Sequence, residues 1–157
     1  MIFDKNTTFK YKNKKLIIKN VKKKDITKQY VKATKSKFIW YPTSTIFNQQ
    51  KYLNKINISK NKILLGLFDG EQLLYTSNVL LKRKCAYIGI LKITKTKHKL
   101  GPLYLKKITI YLNKYFQIKK IIGRIDKNNL TSQYTFNKAN FIKTNSKNYY
   151  IFTYKYD

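Results

Sequence analysis

Cysteine and histidine occur once each, as Cys85 and His98, in a chain of 157 residues. One cysteine rules out an intrachain disulfide, and one of each rules out a zinc finger or a Cys/His metal cluster, so no metal is expected. A reducing compartment suits such a chain. Long apolar runs are missing as well: none approaches the ~20 residues that span a bilayer. The start, Met1-Ile2-Phe3-Asp4-Lys5-Asn6, lacks the apolar core of a signal peptide. The expectation is a soluble, cytoplasmic protein with no transmembrane segment, basic enough to lie against anionic lipid.

Acidic side chains are scarce. Six Asp and Glu face 35 Lys and Arg, a formal charge of +29 and a pI near 10.1. A surface of that sign draws polyanions through steering and counterion release. Lys, Asn, Ile and Tyr are inflated together, however, as an AT-biased coding sequence would produce, so charge alone does not assign nucleic-acid binding. Arginine, which base readers and phosphate forks favour, occurs only at Arg83 and Arg124. What is present in quantity is apolar: 43% hydrophobic and 15% aromatic residues, far above the composition of a solvated tail. The length fits one domain over residues 1–157, with residues 1–15 as an N-terminal extension that is either an edge strand or loosely laid over the body.

Along the chain, Leu16-Ile17-Ile18-Lys19-Asn20-Val21 reads as a strand. Asp25 is an acceptable N-cap for a helix carrying Ile26, Tyr30 and Val31. Phe38-Ile39-Trp40-Tyr41-Pro42 reads as an ordered aromatic loop. Ser44 or Thr45 then caps a second helix, with Ile46, Gln49, Leu53 and Ile56 on one face. Asp69-Gly70, between the apolar runs 62–68 and 72–81, signals a hairpin. The run Cys85-Ala86-Tyr87-Ile88-Gly89-Ile90-Leu91-Lys92-Ile93 is a further strand, apolar enough to predict burial on both faces and a central place. A polar turn over 94–102 precedes an amphipathic helix with Leu105, Ile108, Leu112, Tyr115 and Phe116. Residues 120–125 form a strand, 129–139 a polar start and a helix, and 141–154 hold strand-like Phe141-Ile142 and Tyr149-Tyr150-Ile151-Phe152-Thr153-Tyr154.

The predicted order, β-α-α-β-β-β-α-β-α-β(β), makes an α/β protein with a mixed central sheet. It is similar to the GNAT (Gcn5-related N-acetyltransferase) fold. The C-terminal stretch resembles that family's signature, in which an Asn is followed three residues later by Ser, six more by Lys and two more by Gly-Phe. Asn129, Ser132, Lys138 and Phe141 fall on those positions, with Asn140 in place of the Gly. Asp25-Ile26-Thr27, Thr45 leading to Tyr52-Leu53, Leu65-Gly66-Leu67-Phe68-Asp69 and Tyr87-Ile88-Gly89-Ile90 resemble the ribosomal-protein-acetyltransferase-like subgroup. The resemblance spans residues 16–156.

It implies acetyl-CoA as co-substrate. The family binds the cofactor's pyrophosphate on a loop patterned Arg/Gln-x-x-Gly-x-Gly/Ala, where backbone amides open a helix. The corresponding stretch is His98-Lys99-Leu100-Gly101-Pro102-Leu103, with Lys95, Lys97, Lys106 and Lys107 nearby as added charge. Gly101 matches; His98 and Leu103 depart from the pattern, and Pro102 removes one amide. The strand holding Ile88, Ile90 and Leu91 would be the rail for pantetheine, paired through its backbone and splayed from the next strand. Asn129 and Ser132 are implied to touch the cofactor; read as plain residues, they N-cap a helix and fill its first turn. Cofactor-binding candidates are therefore Ile88, Ile90, Leu91, Lys99, Leu100, Gly101, Leu103, Asn129 and Ser132.

Acetyl transfer to an amine needs a neutral amine, a polarised carbonyl and a proton for the thiolate. Many relatives donate that proton from a Tyr two residues before the signature Lys, where this chain has Phe136. No catalytic residue is assigned; the candidates are Ser132, Asp126 and Tyr134. The expected activity is N-acetyl transfer from acetyl-CoA to a primary amine, on a small molecule such as a nucleotide-linked amino sugar or on a protein N-terminus. Trp40 and Tyr41, with the Asp69-Gly70 hairpin, would flank the acceptor. Two alternatives stand beside it: a non-catalytic GNAT-like domain, marked by Leu103, Phe136 and Asn140, and a basic RNA- or ribosome-binding protein.

Overall fold

The structure, a computed structural model, describes residues 5–35, 45–96 and 99–156. The Phe38 to Pro42 loop, Ser44, Lys97 and His98 lie outside the described residues. Eight strands form one mixed sheet in the order β1-β2-β3-β4-β5-β6-β8-β7, joined by four α-helices. The chain divides into two compact units, one of Met1–Asn78 with Ile90–Thr96, the other of Val79–Gly89 with Lys97–Asp157.

In the first unit, part of the predicted extension is an edge strand. Thr7–Tyr11 (β1) pairs antiparallel with Lys14–Asn20 (β2) across a turn in which Lys12 takes φ 52°, and β2 pairs antiparallel with Lys62–Asp69 (β3). Between β2 and β3 lie helices Lys28–Thr34 (α1) and Ile46–Ile58 (α2). The predicted cap Asp25 does not cap α1. Its carboxylate accepts from the Lys22 amide at 2.7 Å and closes a 3-10 turn over Lys23–Asp25, while the Thr27 hydroxyl accepts from the Tyr30 amide at 3.3 Å and caps the helix. Asp25 is three residues from the backbone group behind it, and Thr27 is three from the orphan amide ahead; each side chain takes the partner in reach. Ile26 therefore sits between turn and helix, buried rather than helical. For α2 the cap is Thr45, accepting from Asn48 at 3.1 Å, and Gln49, Leu53 and Ile56 form its buried face.

Val21, Tyr30, Leu53, Ile56, Leu64 and Phe68 are members of one core cluster, with Ile93 from the end of the next strands. Strand β3 is buried from Ile63 through Phe68. Asp69-Gly70 turns it into Gln72–Lys82 (β4), and Gly70 takes φ 58°, a conformation open to glycine without strain. Thr94 anchors the return of the chain, its hydroxyl donating to the Leu73 carbonyl at 2.8 Å.

Strand Cys85–Lys92 (β5) is fifth of eight, a central place. It is not buried on both faces: Ala86 and Ile88 are buried, Gly89 is exposed, and Ile90 and Leu91 are half-buried. An unbroken apolar run does not distinguish a strand covered on both sides from one whose outer half has lost a neighbour, and β5 is of the second kind.

In the second unit, Gly101–Phe116 (α3) leads to Lys120–Asp126 (β6), Leu130–Lys138 (α4), Ile142–Asn145 (β7) and Tyr149–Lys155 (β8). The predicted face of α3 is buried at Leu105, Ile108 and Leu112, and widened by Tyr104, Thr109 and Tyr111. The helix stops at Gln117, in the left-handed region at φ 52°. β6 is parallel to β5 and antiparallel to β8, while β7 pairs with β8 alone. Helix α4 packs on β6 and beside α3. The α4–β6 approach is close because of Gly123: a Cβ there would stand 2.3 Å from Phe136 Cε1.

Candidate functional site

Within the second unit, β5 and β6 separate. Their register runs Cys85↔Lys120, Ala86↔Ile121, Tyr87↔Ile122 and goes no further, although β6 pairs with β8 over its whole length to Asp126↔Tyr149. Ile88 and Gly89 thus lie past the last β5–β6 pair, and a Cβ built on Gly89 meets nothing within 4 Å. Backbone N–H and C=O groups released from a ladder in this way need another partner, and an extended ligand can supply it. Ile88 itself is buried, a core side chain on a strand whose backbone is the interesting part. Ile90 and Leu91 belong to the first unit's share of β5, both half-buried.

The predicted anion loop opens α3. Leu100 is the N-cap and its side chain caps nothing; proline stands in the first turn. The first intrahelical bond runs from the Tyr104 amide to the Leu100 carbonyl at 2.8 Å, so the Gly101 and Leu103 amides precede the helical ladder and Pro102 has none to offer. Such a terminus carries roughly half a positive charge. Gly101 and Leu100 are buried, Pro102 and Leu103 half-buried, and Lys99 exposed. The departure from the expected small residue at Leu103 is therefore partly turned from solvent and leaves the loop in helical form.

Lys99 also links this loop to α4. Its Nζ lies 5.4 Å from the Tyr134 ring centroid, and Lys138 Nζ lies 5.9 Å from the same ring, so Tyr134 is held between two cations. Tyr134 is 46% exposed, on the loop side of α4. Phe136 faces the other way: it is fully buried, 5.0 Å from Phe141 and 5.4 Å from Phe152 between ring centroids. Two helical steps part the rings, and packing decides which is core.

At the start of α4, Asn129 is the N-cap. Its Oδ1 accepts from the Ser132 amide at 3.1 Å, and its own amide donates to the Asp126 carbonyl at 3.0 Å. Asp126 Oδ1 in turn accepts from the Asn128 amide at 2.8 Å, a turn-closing bond. Gln133 bridges the same turn from inside, its Nε2 donating to the Lys127 carbonyl at 2.8 Å while its Oε1 accepts from Lys143 at 3.1 Å. The structure thus brings Asp126, Asn129 and Ser132 into one turn, and Lys99 and Tyr134 into one contact.

Sequence reasoning passes over Tyr87, Arg124 and Tyr149. The Arg124 guanidinium carbon lies 5.8 Å from the Tyr87 ring and 5.4 Å from the Tyr149 ring. The signal that finds them is the alternation of β6, where Ile121, Gly123 and Ile125 are buried and Arg124 between them is exposed.

The mixed sheet, with its parallel β5–β6 pair parting after Tyr87↔Ile122, has the GNAT fold, as comparison with solved structures shows. N-acetyltransferase PseH of Campylobacter jejuni in complex with acetyl coenzyme A is 18% identical, with 89% of this chain and 99% of that chain covered at a TM-score of 0.68. The ribosomal-protein-S5-alanine acetyltransferase of Vibrio fischeri is 11% identical, covering 95% of this chain and 96% of that one at 0.74. A point mutant of the spermidine N-acetyltransferase SpeG of Vibrio cholerae is 10% identical, covering 88% and 91% at 0.71. No family model and no curated protein matches the sequence. No helix among the described residues is long and apolar enough to cross a membrane.

Proposed function

We propose that the protein is an N-acetyltransferase that moves an acetyl group from acetyl-CoA to a primary amine. The observation that carries this reading is the early end of the β5–β6 register at Tyr87↔Ile122, in the same unit as a helix, α3, whose N-terminus no side chain caps. A strand that keeps its extended form after losing its neighbour offers hydrogen bonds to the amides of a pantetheine arm, here at Ile88 and Gly89. The Gly101 and Leu103 amides, the α3 dipole and Lys99 would hold the pyrophosphate. Leu100 would support the loop from beneath, and Asn129 and Ser132 would stand at the α4 end. The fold neighbour solved with acetyl coenzyme A supports the choice of co-substrate.

Acetyl-CoA supplies the activated acyl carbon when bound; the chain's contribution is to place it. The amine must arrive neutral, and the thiolate that leaves must gain a proton. Phe136, at the position many relatives give to a tyrosine, lies in the core and has no proton to give. Tyr134 carries a phenol but sits against Lys99, at the phosphate end of the proposed site. Ser132 and Asp126 remain the catalytic candidates, Asp126 with one oxygen committed to Asn128. Positioning with a water-mediated proton path accounts for turnover without a dedicated acid. The names of the fold neighbours span a spermidine acetyltransferase and a ribosomal-protein acetyltransferase, and support amines of either kind, small molecule or protein N-terminus, as the acceptor.

The test is calorimetry with acetyl-CoA at moderate salt, followed by release of free thiol in the presence of polyamines, amino sugars and N-terminal peptides. Saturable binding with thiol release supports the enzyme. Saturable binding with no release for any amine indicates a non-catalytic cofactor-binding domain, the reading favoured by the burial of Phe136. Absence of binding at millimolar cofactor overturns both.

A further inference from the structure

The proposed acetyl transfer assigns no role to the rings and cations on one face of the second unit's sheet. Alternation sends Ile121, Gly123 and Ile125 of β6, with Ala86 and Ile88 of β5, to a buried face. The opposite face carries Tyr87, Ile122, Arg124, Asp126, Tyr149, Ile151 and Thr153, each half-buried or exposed. The register confirms that these share a side: Tyr87 is opposite Ile122, Ile122 opposite Thr153, and Arg124 opposite Ile151.

Arg124 stands between two rings, 5.8 Å from the Tyr87 centroid and 5.4 Å from that of Tyr149. Tyr87 stands between two cations, since Lys82 Nζ lies 5.5 Å from its centroid on the other side. The result is a row, Lys82, Tyr87, Arg124, Tyr149, running across β4, β5, β6 and β8. Lys120 and Lys155 are opposite each other on the same face. Among the described residues of this unit the one carboxylate is Asp126, which lies on the same face opposite Tyr149 and accepts a hydrogen bond from the Asn128 amide through Oδ1.

We propose that this face binds single-stranded nucleic acid. Cations that outnumber the one carboxylate on this face attract phosphate and release its counterions on contact. Tyrosine rings and a guanidinium plane offer stacking platforms to bases whose faces are free. An acidic polypeptide would satisfy the charge but make no use of the rings, and a duplex keeps its base faces stacked inside. Alternating rings and cations on an open sheet suit a ligand that alternates bases and phosphates. The proposal does not depend on acetyl transfer, because none of its residues is placed in the cofactor site.

The test is fluorescence anisotropy on the full chain with labelled oligo-uridine and oligo-deoxythymidine of about 12 nucleotides, at physiological salt. Arg124→Gln and Tyr149→Leu are each expected to weaken binding about tenfold, as loss of one stacking partner does. Lys82→Gln, at the exposed end of β4, is expected to weaken binding by a smaller factor and serves if either of the others lowers the melting temperature. The control is the double variant Lys28→Gln/Lys32→Gln, which removes two charges from α1 in the first unit and is expected to change affinity at most about twofold. Tighter binding of either oligonucleotide supports the proposal and names the sugar. Equal loss in the control, or competition by duplex RNA or polyglutamate as effective as by the single strand, overturns it in favour of diffuse charge.

Discussion

At the scale of single residues, Phe136 and Gly123 are one device. The ring of Phe136 fills the space that a side chain at 123 would need, 2.3 Å from the missing Cβ, and is fixed from behind by Phe141 and Phe152. Gly123→Ala must push a ring that has no free end, and is expected to lower stability by about 1–3 kcal/mol, read from urea unfolding. Phe136→Tyr restores the residue type many relatives use as an acid, but here its hydroxyl would enter a fully buried aromatic cluster. The expected outcome is a loss of about 1–3 kcal/mol with no gain in thiol release. A faster variant would show that the ring reaches the reacting atoms after all.

At the scale of elements, both ends of α4 carry information that the sequence makes visible, though not all of it. The spacing Asn129, Ser132, Lys138, Phe141 marks a helix start and a return to the core, and the Asn129 Oδ1 bond to the Ser132 amide is the capping geometry that such spacing permits. Asn129→Ala is expected to cost about 1 kcal/mol of stability, and Asn129→Ser to recover most of it, because a hydroxyl can take the same amide. Parallel melts and acetyl-CoA titrations would separate cap from contact: a Ser variant of normal stability and weakened affinity would show that the amide touches cofactor. Helix α2 and the Asp69-Gly70 hairpin were equally legible, since cap, periodicity and turn chemistry agree there. Asp25 was not, because Asp25 and Thr27 are both good caps and only reach decides between them. The burial of β5 was misjudged for a different reason: its apolar run predicts cover on both faces, and the splay from β6 came from the family resemblance, not from the β5 residues. The Tyr87–Arg124–Tyr149 row was hidden because its members are spread over three strands distant in sequence.

At the scale of the whole molecule, buried phenols tie stability to pH at its alkaline end. Tyr30 is 3% exposed, and burial pushes its phenol up to about 12 against the opposing pull of a bond to Thr76. Burial, then the neighbouring Tyr115, pushes Tyr111 up to about 12 as well. An unfolded phenol titrates near 10. The folded state therefore keeps protons that the unfolded state loses, so this contribution to stability is full below pH 10 and falls as pH rises through 12. The expected result is that stability of the parent chain declines more steeply above pH 10 than that of Tyr111→Phe, in urea midpoints measured across that range. Parallel slopes would count against a buried neutral phenol at 111.

The placing of β8 between β6 and β7 has a consequence for synthesis. Strand β7 is made first, with all four of its residues exposed in the finished fold and β8 as its one neighbour, and β6 waits with an open edge until β8 follows. At ordinary elongation rates that interval lasts on the order of a few seconds. During it the apolar core of β6, Lys120-Ile121-Ile122-Gly123-Arg124-Ile125-Asp126, is a template for another nascent chain, interrupted by Arg124 and closed by charged residues at both ends. Those three charges are gatekeepers of the kind that keep a slow-closing edge from pairing with strangers. Arg124→Val is therefore expected to raise aggregation during expression more than an equally destabilising core substitution, read from the soluble fraction of each variant.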